Sequence, residues 1–197
     1  MAQTTLSPAQ SVVADLHDLW PTLFGCLESA VATAVEDFQR RERTVEPFHL
    51  ASGVRNELYW RLQESGLQEC RVANLSNNGV LFEYGGYHLR ALKIREEGGV
   101  PDQGRSAAFQ SYCEQLPLLP DGTEGFLSPS ALKLMLLWKY DKETRSLGSL
   151  FLWLPNEWLV EIPHPASAQQ VAPLAIDESE LVALDLIDEG VDENQVG

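Results

Sequence analysis

Leu132-Lys133-Leu134-Met135-Leu136-Leu137-Trp138-Lys139-Tyr140 is the stretch on which the fold turns. In an extended chain Leu132, Leu134, Leu136, Trp138 and Tyr140 share one face, and Lys133, Met135, Leu137 and Lys139 share the other. Asp141-Lys142-Glu143-Thr144 is a polar turn, after which Leu147 to Leu154 pairs back. Trp158 to Ile162 adds a further strand beyond Pro155-Asn156. Trp138 and Trp153 are expected in the core.

A second set of strands precedes this one. Cys70 to Leu75 reads as a short strand, and Ser76-Asn77-Asn78-Gly79 is turn chemistry, because Asn-Gly readily supplies positive φ. Val80, Phe82 and Tyr84 alternate with Leu81 and Glu83. Gly85-Gly86 forms the next turn, and Tyr87 to Arg95 returns. A glycine- and proline-bearing loop, Glu97 to Gly104, leads to a helix carrying Ala107, Ala108, Phe109, Tyr112 and Cys113.

The N-terminal third is helical. Ser7-Pro8 is a helix start, with serine as cap and proline where no amide hydrogen is needed. Val12, Val13, Leu16, Leu19 and Trp20 keep helical spacing, and Pro21 interrupts or restarts the helix. Leu23, Phe24, Leu27, Ala30, Val31, Ala34, Val35 and Phe38 continue one apolar stripe into the solvated run Gln39-Arg40-Arg41-Glu42-Arg43. A third helix is expected from about Leu50 to Ser65, with Val54, Leu58 and Leu62 inward and Gly66 as its stop. The order implies an α+β fold in which N-terminal helices pack on a mixed or antiparallel sheet of about five or six strands.

Residues 1–162 form one domain in this reading, and 163–197 form an acidic tail. From Pro163 onward there are eight acids, from Asp177 to Glu193, and no Lys or Arg. Removing these eight from the net charge of −15 leaves −7 for residues 1–162. Such a balance disfavours nucleic acid and anionic lipid as partners of the whole molecule. In the tail Leu181, Val182, Leu184, Leu186 and Ile187 interleave with the acids, which suits either a solvating tail or a docking segment that orders on a partner. A DNA mimic is a further alternative for it.

The 44% apolar content, with five Trp, seven Phe and five Tyr, is that of a folded globule. Cys26, Cys70 and Cys113 are odd in number and widely spaced, so neither a disulfide framework nor a zinc site is signalled. No run reaches the ~20 apolar residues of a membrane span, and the start lacks a secretory pattern. A cytoplasmic location is the expectation.

Chemistry-bearing patterns are sparse. His17, His49, His88 and His164 have no metalloprotease spacing, and no nucleotide-binding or nucleophile motif is present. No cofactor, metal or catalytic residue is therefore expected. A restriction-endonuclease-like reading would use Glu57, Glu83 and Lys93, with carboxylates holding Mg²⁺ and lysine positioning water. In the Glu-x-Lys pattern of such enzymes, however, Ala91 stands where the acid belongs. The basic residues Arg90, Lys93 and Arg95 on a strand are a better pointer. Arg90 and Lys93 are three positions apart, which sends them to opposite faces.

Three stretches carry a resemblance. They are Ser52-Gly53-Val54-Arg55-Asn56-Glu57-Leu58, then Leu89-Arg90-Ala91-Leu92-Lys93-Ile94 followed by Pro101 and Ala107-Phe109-Gln110, and the hairpin from Leu134 to Trp153 ending at Pro155. Over residues 50 to 162 the chain resembles uncharacterised bacterial and prophage proteins of about this size that are encoded beside ImmA/IrrE-type zinc metallopeptidases. The resemblance implies a non-enzymatic regulator in a mobile-element or toxin–antitoxin setting, with a metallopeptidase or toxin as partner. It supplies no catalytic residues. Joined to the residue reading, it gives an interaction protein that binds another protein through Arg55, Arg90 and Lys93 on the body and Leu181, Leu184 and Ile187 on the tail.

Overall fold

The computed structural model describes residues 6–74, 79–94, 110, 112–114 and 131–165. The chain divides into two units, Met1–Pro165 and Ala166–Gly197. The second unit, with the tail residues Leu181, Leu184 and Ile187, lies outside the described residues. The first is an α+β domain of three N-terminal helices and a six-stranded mixed sheet.

Helix α1 (Pro8–Asp15) opens with a full capping box: the Ser7 hydroxyl accepts from the Gln10 amide, and the Gln10 side chain accepts from the Ser7 amide. Helix α2 (Leu19–Arg40) restarts the chain, and Pro21 is harmless in its first turn because amides there have no helical partner. The Trp20 indole donates to the Val13 carbonyl at 2.9 Å and closes the corner between the two helices. Helix α3 (Pro47–Glu64) begins earlier than the apolar spacing suggests. Pro47 takes the first helical position, where its fixed φ is an advantage, and the Leu50 amide already bonds the Glu46 carbonyl at 2.9 Å. Gly66, at φ 69°, stops the helix as expected.

The strands are β1 (Arg71–Asn74), β2 (Val80–Tyr84), β3 (Tyr87–Lys93), β4 (Leu132–Asp141), β5 (Ser146–Leu154) and β6 (Trp158–Ile162), and they lie side by side in chain order. Gly85 and Gly86 both have positive φ, which the tight β2–β3 turn requires of its central pair. All neighbours are antiparallel except β3 and β4, which run parallel from Tyr87 beside Leu132 to Lys93 beside Trp138. A parallel pair needs a long crossover, here the chain from Ile94 to Ala131. Gln110, Tyr112 and Cys113 of that crossover are helical, as expected; the expected positions Ala107, Ala108 and Phe109 lie outside the described residues.

α1 lies against β6, α2 over β5, and α3 over β1, β2 and β3. The main core joins the α2 stripe to Val80, Phe82, Leu89, Ala91, Leu134, Leu136, Trp138, Leu150 and Leu152. Each fully buried aliphatic or aromatic side chain contributes roughly 1.5–3 kcal/mol. Gly53 lets α3 approach α2 closely, since a Cβ there would stand 3.3 Å from that of Ala34. A smaller cluster on the other face holds Leu81, Ile94, Tyr112, Cys113, Met135, Leu137 and Trp153. The central strands are thus buried on both sides, which explains why Leu136-Leu137 interrupts strict polar alternation.

Candidate functional site

At the carboxyl ends of the parallel pair, the sheet, the end of α2 and the start of α3 enclose a cleft of about 550 Å³. Gln39, Glu42 and Arg43 reach it from the end of α2, Thr44 and Val45 from the connecting loop, and Pro47 and Leu50 from α3. Lys93 ends β3, Tyr140 lies near the end of β4, and Lys142 and Arg145 come from the β4–β5 turn. Four of the chain's 14 lysines and arginines thus meet here, and among the described residues one carboxylate, Glu42, joins them in the lining. In a molecule of net charge −15, this is a local inversion of sign.

Local backbone geometry sets these side chains. Asp141 accepts from the Glu143 and Thr144 amides at 2.8 and 3.4 Å, an Asx-type turn that fixes the hairpin tip. Between Trp138 and Tyr140 the β4–β5 register shifts, and the bulge falls on the β5 side around Gly148, bending the sheet where it meets the cleft. Arg145 follows at φ 55°, and Glu42 stands at φ 53° just past the end of α2. Both positions favour glycine, and a side chain there costs roughly 1–2 kcal/mol. Arg40 and Arg41 are paired with Asp37 at 3.6 and 2.9 Å, whereas among the described residues neither Arg43 nor Arg145 is in an ion pair. α3 begins at the cleft without a side-chain cap, for the Glu46 carboxylate engages His49 Nδ1 at 2.8 Å instead.

The opposite face of the sheet carries a buried polar group. Register aligns Glu83, His88 and Lys133 across β2, β3 and β4, and places Arg90 in the next row between Leu81 and Met135. His88, Arg90 and Lys133 are 2%, 8% and 4% exposed. His88 Nε2 lies 4.0 Å from Glu83 Oε2, and neither ring nitrogen makes a hydrogen bond among the described residues. Burial pushes the His88 pKa down; the Glu83 charge opposes this and the Lys133 charge adds to it. Burial likewise lowers Arg90 and Lys133. The Arg90 guanidinium stands 6.0 Å from the Tyr112 ring centroid, and the Tyr112 hydroxyl reaches the His88 and Leu134 carbonyls at 2.9 and 2.7 Å. This hydroxyl fastens the crossover to the parallel pair, and burial raises its pKa.

The residues singled out from sequence are therefore dispersed. Lys93 lines the cleft, while Arg90 lies on the opposite face of the same strand, under Tyr112. Arg55 sits half-buried on α3, where burial lowers its pKa. Arg55, Arg90 and Lys93 do not make one patch. Arg95 lies outside the described residues. For the nuclease alternative, Glu83 faces the Arg90 side and Lys93 the helix side, and Glu57 pairs with Arg61 at 3.6 Å. These three do not converge, and among the described residues no group of three His, Cys, Asp or Glu could hold a metal. Burial also raises the thiol pKa of Cys26, Cys70 and Cys113, that of Cys70 to about 11, which keeps these sulfurs protonated.

Arg43, Lys142, Arg145 and Tyr140 had no place among the sequence candidates. The run Arg40 to Arg43 was the one available signal, and it reads equally well as a solvated helix end. Among the described residues no helix is long and apolar enough to cross a membrane. No protein-family model, curated protein or solved structure matches the chain.

Proposed function

We propose that this chain is a non-enzymatic, cytoplasmic interaction protein that captures an acidic segment of a protein partner in the basic cleft. One observation carries the reading: Arg43, Lys93, Lys142 and Arg145 gather in a single concavity of a strongly acidic molecule. Complementary charge at a docking site steers encounter and rejects wrong partners more than it adds raw affinity. The acidic tail is a second recognised segment, with Leu181, Leu184 and Ile187 as its apolar anchors. The resemblance to proteins encoded beside zinc metallopeptidases makes an antitoxin-like role, with a metallopeptidase or toxin as partner, the concrete version.

The test is binding of a fluorescent Glu- and Asp-rich peptide, followed by anisotropy at low and moderate salt. Saturable binding that weakens with salt and is lost in the Arg43→Glu/Arg145→Glu protein is the expected result. A peptide that fails to bind, or binds both proteins equally, removes the cleft from the function.

A further inference from the structure

We infer that the cleft has one anchoring subsite built for a compact dianion, a phosphate monoester on the partner's side chain. This rests on the reading above and names what the cleft recognises. Two kinds of cationic donor line one small volume. The first is guanidinium, from Arg43 and Arg145, which can grip two oxygens of one phosphate in a planar fork. The second is ammonium, from Lys93 and Lys142. The start of α3 offers no free amide from its lining residues, since Pro47 has no N–H and the Leu50 amide bonds the Glu46 carbonyl, and lends only its dipole. A helix start favours negative charge nearby. Thr44 and Tyr140 add hydroxyls to the lining.

A point dianion serves this arrangement better than a row of carboxylates. Glutamates spread along an extended peptide can meet only one or two of the cations at a time. A phosphoryl group offers three oxygens within one site and meets several together. An extended polyanion such as nucleic acid fits worse, because beyond the cleft it would run onto a molecule of net charge −15. Backbone strain points the same way. The chain keeps a charged side chain at φ 55° in Arg145, where glycine would relieve the turn. Among the described residues Glu42 is the one adverse charge in the lining, and its removal should strengthen anion binding.

The experiment measures the full chain against four probes by anisotropy or calorimetry. They are a peptide with one phosphoserine, the same peptide with Glu in that place, inorganic phosphate, and a single-stranded oligonucleotide. The phosphopeptide should bind at least tenfold tighter than the Glu peptide, and inorganic phosphate should compete with it. R145G should lose about tenfold in phosphopeptide affinity while unfolding no earlier than the parent, and E42Q should gain affinity. Equal binding of the two peptides overturns the inference but leaves the acidic-segment reading standing. Failure of both peptides overturns the two together. An oligonucleotide that binds tighter than the phosphopeptide, or an R145G protein with unchanged affinity, also sinks the inference.

Discussion

His88 should make this domain acid-sensitive in a defined window. Its imidazole is 2% exposed, with Glu83 at 4.0 Å as the one nearby anion among the described residues and Lys133 beside it in register. Burial lowers its pKa from the ordinary 6.5, so the unfolded chain takes up the proton first as pH falls. The contribution is complete well above 6.5 and is lost progressively as pH drops through 6.5 toward the folded value. Each pH unit over which the unfolded ring is charged and the folded ring neutral removes about 1.4 kcal/mol. For a domain of this size each such unit is about 3–6 °C in Tm. The measurement is thermal unfolding by circular dichroism at about pH 7.5 and pH 5.5, for the parent and His88→Gln. The difference between the two pH responses isolates the part that depends on the His88 ring and its coupling to Glu83. The parent should lose more Tm between the two pH values than His88→Gln does. Equal losses in the two proteins would show that this ring is not a buried neutral base.

Three further perturbations follow from the packing. Tyr112→Phe strips the buried hydroxyl that reaches the His88 and Leu134 carbonyls, and should cost about 1–3 kcal/mol; urea unfolding should show a lower midpoint at unchanged slope. Gly53→Leu forces a side chain into the α2–α3 contact, where even a Cβ meets Ala34 at 3.3 Å, and should destabilise by about 1–3 kcal/mol despite leucine's better helix propensity. Arg145→Gly relieves a left-handed backbone at φ 55° and should stabilise by about 1 kcal/mol, read as a higher urea midpoint; a lower midpoint would mean that the arginine makes compensating contacts.

Much of the fold is legible residue by residue. Ser7-Pro8, Gly66 and the Gly85-Gly86 turn act through local backbone chemistry, and each sits where that chemistry places it. The strand Leu132 to Tyr140 likewise announces its two faces by alternation, and both faces exist. The start of α3 was less legible, because apolar spacing marks the buried turns of a helix and is silent about an exposed first turn around Phe48. The site was least legible. Lys93 could be singled out because it stands on a strand, but Arg43 and Arg145 each look like ordinary solvent-facing charge in their own segment.

Sequence alone determined the local choices: which segments coil, which extend, where they turn, and that Arg90 and Lys93 point apart. These depend on periodicity and backbone preference within a few residues, so neighbours along the chain suffice. Tertiary structure alone decided that β3 and β4 run parallel and that the end of α2 arrives beside the β4–β5 turn. That juxtaposition comes from packing an apolar helix stripe on a twisted sheet, a long-range contact with no signature in the charged residues it brings together. The basic cleft is therefore a product of the core's geometry, assembled from side chains that separately carry no message.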